Sequence, residues 1–436
     1  MSVLDNLGFK IFRLMEVKEQ DEFLLYDKNT QKFNQFSQKR LISMLDYLFF
    51  ERGIDYKDIA VSKLSYSDKV KNTQILSDWI KNESKIIDNL GYLPKNELFF
   101  TENDKILFNL YRKSALLSKK CNQGEFKNIK KLILNLVGGN KKEYDYFINW
   151  IGWQIQNPLH RLPTSIILQG EHGTGKTKFC ELILKNIFGS NFCEIGQSDI
   201  NKEYNDFILG KQLIVANEVI HNDNKLLVPD KLKNFVTDQY ISINRKFKDT
   251  VYMKNYSQWI FVTNNDMPLK IERGDRRYTI FKSKKLKNGT QLIDDLLDNL
   301  EQELEHFVAY LFSLDIEFKY VSKPIMNEAK EDLIKLSQNS VEEFMDYIKV
   351  MGGIDLFAKK FNFSNEHLII NIEEGFGVPT NVFYELYVKY CSQAGITHKF
   401  TRRGFTIQLK RLGFGSKVAK LNEESIRIIQ IPEATK

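Results

Sequence analysis

Residues 164–187 read TSIILQGEHGTGKTKFCELILKNI, and this stretch decides the fold class. An apolar run, Ile166-Ile167-Leu168, enters Gly170-x-x-x-x-Gly175-Lys176-Thr177, and a helical pattern follows at once. Strand, glycine loop and helix in that order make a phosphate-binding loop. Gly170, Gly173 and Gly175 let backbone N–H groups turn inward, where a Cβ would obstruct an approaching phosphate. Thr174 belongs to the same cradle, Lys176 is placed to reach the β- and γ-phosphates, and Thr177 to bind Mg²⁺. The dipole of the helix N-terminus adds to the attraction. The expected fold is therefore α/β, with a P-loop core that takes a nucleoside triphosphate and Mg²⁺.

The bulk numbers are those of a soluble globular protein with room for several domains. The chain has 436 residues, 42% hydrophobic and 27% charged, room for two to four domains. No apolar run approaches a membrane span, and MSVLDNLGFKIF lacks a signal-peptide layout, so a cytoplasmic protein is expected. Cys121, Cys180, Cys193 and Cys391 form no CxxC pair, which argues against a disulfide framework or a zinc site. A net charge of +7 permits a polyanionic partner.

Five segments are expected. Residues 1–115 read as a small mixed α/β module, with a hairpin turning at Lys28-Asn29, a helix QKRLISMLDYLFFE capped by Ser37, and a hairpin turning at Asn103-Asp104. Residues 116–163 carry two helical patterns broken at Gly138-Gly139, a helical oligomerisation or collar region ending at Asn157-Pro158. Trp150 and Trp153, three apart on the second helix, are expected in the core. Residues 164–285 form the P-loop core, and 286–340 a helical region with a linker over 318–340. Residues 341–436 read as winged-helix-like, with helices opened by Thr380 and Thr401 and two following strands.

A P-loop alone leaves kinases, GTPases, motors and helicases open. The next apolar strand, Leu213–Ala216, ends in Asn217-Glu218. An acid there can orient and deprotonate an attacking water, which makes Glu218 the general-base candidate. Asn217, being neutral, would touch only the metal's water shell. A third strand, Trp259–Val262, ends in Thr263-Asn264-Asn265-Asp266-Met267-Pro268, where either asparagine could sense the γ-phosphate. Arg276 and Arg277 in Arg273-Gly274-Asp275-Arg276-Arg277-Tyr278 suit a finger that reaches a neighbouring subunit's γ-phosphate. Between the strands, Arg245, Lys246, Phe247 and Lys248 crowd the tip of an expected β-hairpin. Cations there would make sequence-independent phosphate contacts, and the aromatic could stack on a base.

This order of motifs resembles the superfamily 3 helicases, AAA+-type ATPases of small viruses, phages and plasmids. Within them it is most similar to the helicase portion of phage and plasmid primase-helicase (primase-polymerase) proteins. The resemblance covers about 165–280 and the preceding FINWIGWQIQNPLHRLP, and is weaker for the N-terminal module and the tail. It selects Asn265 as the sensor, Glu218 as the catalytic acid, Lys246 and Lys248 as DNA-tracking lysines, and Arg276 or Arg277 as the finger. It implies an ATP-dependent DNA helicase or translocase, a homo-oligomeric ring expected as a hexamer, acting on single-stranded or forked DNA. A primase or polymerase is the further partner implied, with no membrane, in a bacterial host's cytoplasm. Arg402 and Arg403 on the tail's recognition-helix candidate are expected to touch duplex or forked DNA, the alternative being a tail that docks another replication protein.

Two departures stand out. Asn217 replaces an acid, and no acidic-dyad primase centre is visible, so primer synthesis is not expected and the chain reads as a stand-alone helicase or a helicase fragment. The alternative is a DNA-binding replication initiator or loader whose ATPase controls assembly alone; strand displacement separates the two. A small-molecule kinase is disfavoured by chain length and the basic hairpin.

Overall fold

The computed structural model describes residues 3–14, 22–54, 72–218, 227–246, 250–265, 269, 271–272, 274–286, 288–363, 368–372, 375–397, 399–421 and 424–431. They form two compact units, residues 1–269 with 276–329, and residues 270–275 with 330–436.

The first unit begins with β1 (Phe9–Leu14), β2 (Glu22–Asp27) and β3 (Phe33–Ser37), paired antiparallel, with β4 (Lys85–Ile87) parallel to β1. The β2–β3 hairpin lies where the alternation predicts it. The following helix, Gln38–Arg52, buries Leu41, Leu45 and Phe49, four residues apart on one face. Ser37 stands at its N-cap without a side-chain cap bond, so its capping role is corrected. A second small sheet holds β5 (Asn89–Gly91), β6 (Phe99–Glu102) and β7 (Lys105–Asn109). Asn103 and Asp104 turn β6 into β7 with φ of 50° and 60°, the left-handed pair of a tight hairpin.

The centre is a five-stranded, wholly parallel sheet of β8 (Ser165–Gln169), β9 (Phe192–Gly196), β10 (Leu213–Asn217), β13 (Gln258–Thr263) and β14 (Tyr278–Lys282). Its spatial order is β14-β8-β13-β10-β9. Every residue of β8 and β13 is buried, as parallel strands covered on both faces require. Helices Lys127–Leu136, Lys141–Gln156 and Leu300–Ser313 share one apolar cluster with this sheet, so the flanks of the core are continuous with it. The first two break at Gly138-Gly139 (φ +71° and +81°), and Asn140 caps the second. Trp150 is fully buried and its Nε1 donates to Thr164 Oγ1; Trp153 is half-buried against Phe318. Outside the sheet, β11 (Tyr240–Ile243) and β12 (Val251–Lys254) make an antiparallel hairpin. The loop end of β11 is held by Asn205, whose Oδ1 accepts from Asn244 N and whose Nδ2 donates to Ser242 O.

The second unit packs helices Ser340–Val350, Ile354–Lys360, Thr380–Gln393 and Arg402–Arg411 around Phe344, Phe383, Tyr387 and Phe405. Thr401 caps the last helix through its hydroxyl, as expected. Thr380 starts its helix but donates to Arg427 O instead of capping. The two expected strands, β17 (Ser416–Leu421) and β18 (Glu424–Ile431), are joined by β15 (Ile370–Ile372) and β16 (Gly375–Pro379) in one antiparallel sheet. The stretch 318–340, expected as a linker, is helical over Phe318–Val321 and Glu328–Leu336 and buries Val321 and Leu333. Those apolar anchors are why it is ordered structure.

Candidate nucleotide-binding site

In a parallel sheet, the loops leaving the strands all collect at one edge, and ligands bind there. The loops after β8, β10 and β13 do so here because the three strands are adjacent. The P-loop leaves β8 with Gly170 N bonded to Thr263 O of β13 (3.2 Å) and Gln169 Nε2 bonded to Asn265 O (3.1 Å). Gly170 is required by close approach, since a Cβ there would lie 2.2 Å from Ser283 Oγ. Gly175 has φ +89°, and its Cβ would meet Leu132 Cδ1 at 2.4 Å. Gly173 (φ +76°) faces open space, with nothing within 4 Å of a Cβ. The helical run 176–188 follows directly, its middle, Phe179–Leu184, wound as a π-helix.

Lys176 is buried, and its Nζ donates to Gly170 O, to Glu171 O (2.9 Å) and to Thr174 Oγ1 (3.0 Å). These acceptors are neutral, and burial pushes the ammonium pKa down. A cation held only by loop oxygens beside an open glycine turn fits an incoming anion. Thr177 is exposed at the start of the helix, where a metal could reach it.

Asn217 ends β10, half-buried, and its side chain favours the charged form of the Glu194 carboxylate on β9. Burial raises the Glu194 pKa, Glu181 adds to the rise, and Lys185 and Asn217 oppose it. Glu218 is exposed with φ 54°, a left-handed conformation that costs a non-glycine residue energy. Its N–H is locked onto Val262 O (2.8 Å), which fixes it beside the end of β13. Asn264 reaches the P-loop residue His172, with Nδ2 at 3.3 Å from Nε2. Asn265 is half-buried, and its N–H donates to Thr263 Oγ1.

The two arginines are not at this edge. Arg277 O accepts Ser165 N at 2.7 Å, and Tyr278 pairs with Ser165, so Arg276 and Arg277 stand where β14 and β8 begin. Arg277 is half-buried with its guanidinium 5.6 Å from the Tyr278 ring, and Arg276 is exposed. On the hairpin, burial alternates through Ile241, Ile243 and Arg245 on the inner face. Arg245, expected among the DNA contacts, is only 6% exposed and points inward because it continues that face. Lys246 is exposed on the other face, while Phe247 and Lys248 lie outside the described residues. The outer face carries Tyr240 and Tyr252, exposed and stacked at 5.6 Å. Arg402 and Arg403 are exposed in the first turn of their helix, in the second unit.

Three contributors escaped the sequence reading. Asn135, on a helix 39 residues before Thr174, donates through Nδ2 to Thr174 O (2.9 Å) and Lys284 O (2.7 Å), tying the P-loop to the exit of β14. Glu194 brings a carboxylate beside Asn217. The Tyr240–Tyr252 pair supplies the aromatic surface expected only of Phe247. None belongs to a local motif; for the tyrosines alone, the alternation of the two strands was an available signal.

Residues 168–277 match a family of unknown function, DUF5906. A DNA primase-polymerase of Nitratiruptor phage NrS-1 is 27% identical over 257 residues, which are 58% of this chain and 36% of the phage protein. This chain thus spans about a third of that relative's length. The apo structure of the NrS-1 C-terminal region (305–718) is 20% identical, with TM-score 0.71, covering 98% of this chain and 97% of that one. The A form of the apo C-terminal region is 21% identical, with TM-score 0.69 over 99% and 98%. The fold is therefore shared with that region. Among the described residues, no helix is long and apolar enough to cross a membrane.

Proposed function

We propose that the chain is an ATP-driven DNA translocase of a phage or mobile-element replication system, of the superfamily 3 helicase type. The observation that carries this reading is the division of the sheet: P-loop, Asn217-Glu218 and Asn264-Asn265 at one edge, arginines at the other. Such a core is complete only when a second copy supplies its arginine. The likeness to part of a phage primase-polymerase supports a place in DNA replication.

In the site, Lys176 exchanges loop carbonyls for phosphate oxygens. Thr177 would hold Mg²⁺ directly, and Asn217 its water shell. That ion would neutralise charge on the β- and γ-phosphates. Asn265 positions a water, whose oxygen attacks the γ-phosphorus as the bond to the β-bridging oxygen breaks. Glu218 takes the water's proton, and ADP leaves with the bridging electron pair. Arg276 of a neighbouring subunit stabilises charge on the equatorial oxygens. The hairpin offers Lys246 to backbone phosphates and Tyr240–Tyr252 to base faces.

The experiment is ATP hydrolysis with and without single-stranded DNA. The wild-type chain should be stimulated by the strand, and Lys176→Ala should be inactive in both conditions. Hydrolysis by Lys176→Ala at the wild-type rate would refute the site.

A further inference from the structure

A cleft of about 1240 Å³ lies in the first unit, away from the P-loop, among the β2–β3 turn, residues 110–119, the end of helical run 176–188 and the approach to β10. Its lining carries Lys32, Arg112, Lys113, Lys119, Lys185 and Lys211, against Glu301 as the acid among the described lining residues. Lys119 is bridged to Glu301 and Glu305, so it contributes little free charge.

Arg112 and Lys211 are of a different kind. Arg112 Nη1 donates to Asn109 O and Tyr111 O and Nε to Gln31 O, while Nη2 is buried without a hydrogen-bond partner. Lys211 Nζ donates to Ser190 O (2.7 Å). Burial lowers the pKa of both groups; Tyr26 opposes the shift at Arg112, whose guanidinium lies 5.1 Å from the Tyr26 ring and 5.2 Å from the Phe108 ring. Buried Asn191 fixes the wall between them: its Nδ2 donates to Arg112 O (2.6 Å) and its backbone carbonyl accepts from Gln212 N (2.8 Å). With Lys32, Lys113 and Lys185 lining the same cleft, the wall presents positive charge that attracts an anion.

We propose that this cleft binds a segment of single-stranded nucleic acid through its phosphate backbone. Its volume exceeds the usual range for a small-molecule pocket, roughly 300–1,000 Å³, and its cations come from four separate chain segments. A lining of that size with cations on four segments suits phosphates repeated along a strand. The cleft also touches the far ends of two elements of the ATPase site. Lys185 opens the last turn of the helical run that Lys176 begins, and Lys211 precedes the strand that ends at Asn217. A strand seated here is therefore placed to communicate with the phosphate site, a coupling that rests on the ATPase reading, whereas the binding does not.

The test is fluorescence anisotropy of labelled oligo-dT with the full chain across a salt series, in the absence of nucleotide. Lys32→Glu,Lys113→Glu reverses two exposed cleft lysines, and Lys81→Glu,Lys130→Glu makes the same charge change on exposed helix positions elsewhere. The cleft variant should bind about tenfold more weakly than this control and show a shallower salt dependence, with DNA-free ATP hydrolysis unchanged. Equal affinity of the two double variants overturns the cleft. Cleft-dependent binding in a chain that never hydrolyses ATP would support the cleft and overturn the ATPase reading instead.

Discussion

Lys176 and Arg276 stand at opposite edges of one parallel sheet. Lys176 follows the carboxyl end of β8, whereas Arg276 precedes Tyr278, which pairs with Ser165 at the amino end of β8. Five strand residues separate the edges, about 16 Å at the usual rise. In the proposed translocase, an arginine so placed would serve the phosphate of a neighbouring subunit. Arg276→Ala should lower hydrolysis roughly a thousandfold, the scale of a lost arginine finger. Arg277→Ala, losing its contact with the Tyr278 ring, should act mainly on stability. Mixing inactive Lys176→Ala with inactive Arg276→Ala should restore activity through mixed interfaces, read as phosphate release. No recovery in oligomers that exchange subunits would place the arginine's action within its own chain.

Glu218 is held in a strained left-handed conformation by its bond to Val262 O. Strain kept at a strand tip beside the glycine loop supports the general-base role proposed for Glu218. Glu218→Gln should bind ATP as well as wild type and lose turnover by roughly a hundredfold or more, because an amide cannot accept the proton. Equilibrium nucleotide binding beside single-turnover hydrolysis checks both halves.

Asn135 ties the P-loop backbone to residue 284. Asn135→Ala removes two hydrogen bonds to carbonyls and should weaken ATP binding about tenfold, with thermal stability only modestly reduced. Isothermal titration with a non-hydrolysable analogue measures it.

The legible parts of this protein were the local ones. The P-loop, the strand ends at Asn217-Glu218 and Thr263–Asn265, and the Asn103-Asp104 turn each sit in a few consecutive residues whose backbone demands select the residue type. Asn135 and Glu194 were hidden because each acts through polar contacts on residues distant in sequence. The β15–β16 pair was missed because Gly375-Phe376-Gly377-Val378-Pro379 lacks the branched, alternating character of a strand. It exists by pairing with β18, a partner some fifty residues on. Arg245 misled for the opposite reason: its charge suggested the tip, while the alternation of Ile241 and Ile243 carried it inward.

On the hairpin, Lys246 and the Tyr240–Tyr252 pair share exposed positions suited to phosphate and base. Lys246→Ala should reduce single-strand affinity and flatten its salt dependence. Tyr252→Ala should cost about 1–3 kcal/mol of binding with little change in salt slope, since stacking is not ionic. Anisotropy titrations at several salt concentrations separate the two effects.

The most direct measurement is strand displacement on forked DNA with ATP, comparing the wild-type chain with Glu218→Gln at matched occupancy of the fork. A motor built as described separates the strands only when ATP is hydrolysed, so wild type should unwind the fork and Glu218→Gln should bind it without unwinding. Wild-type protein that hydrolyses ATP on the fork and leaves the duplex intact would contradict the translocase and leave an ATP-controlled assembly factor in its place.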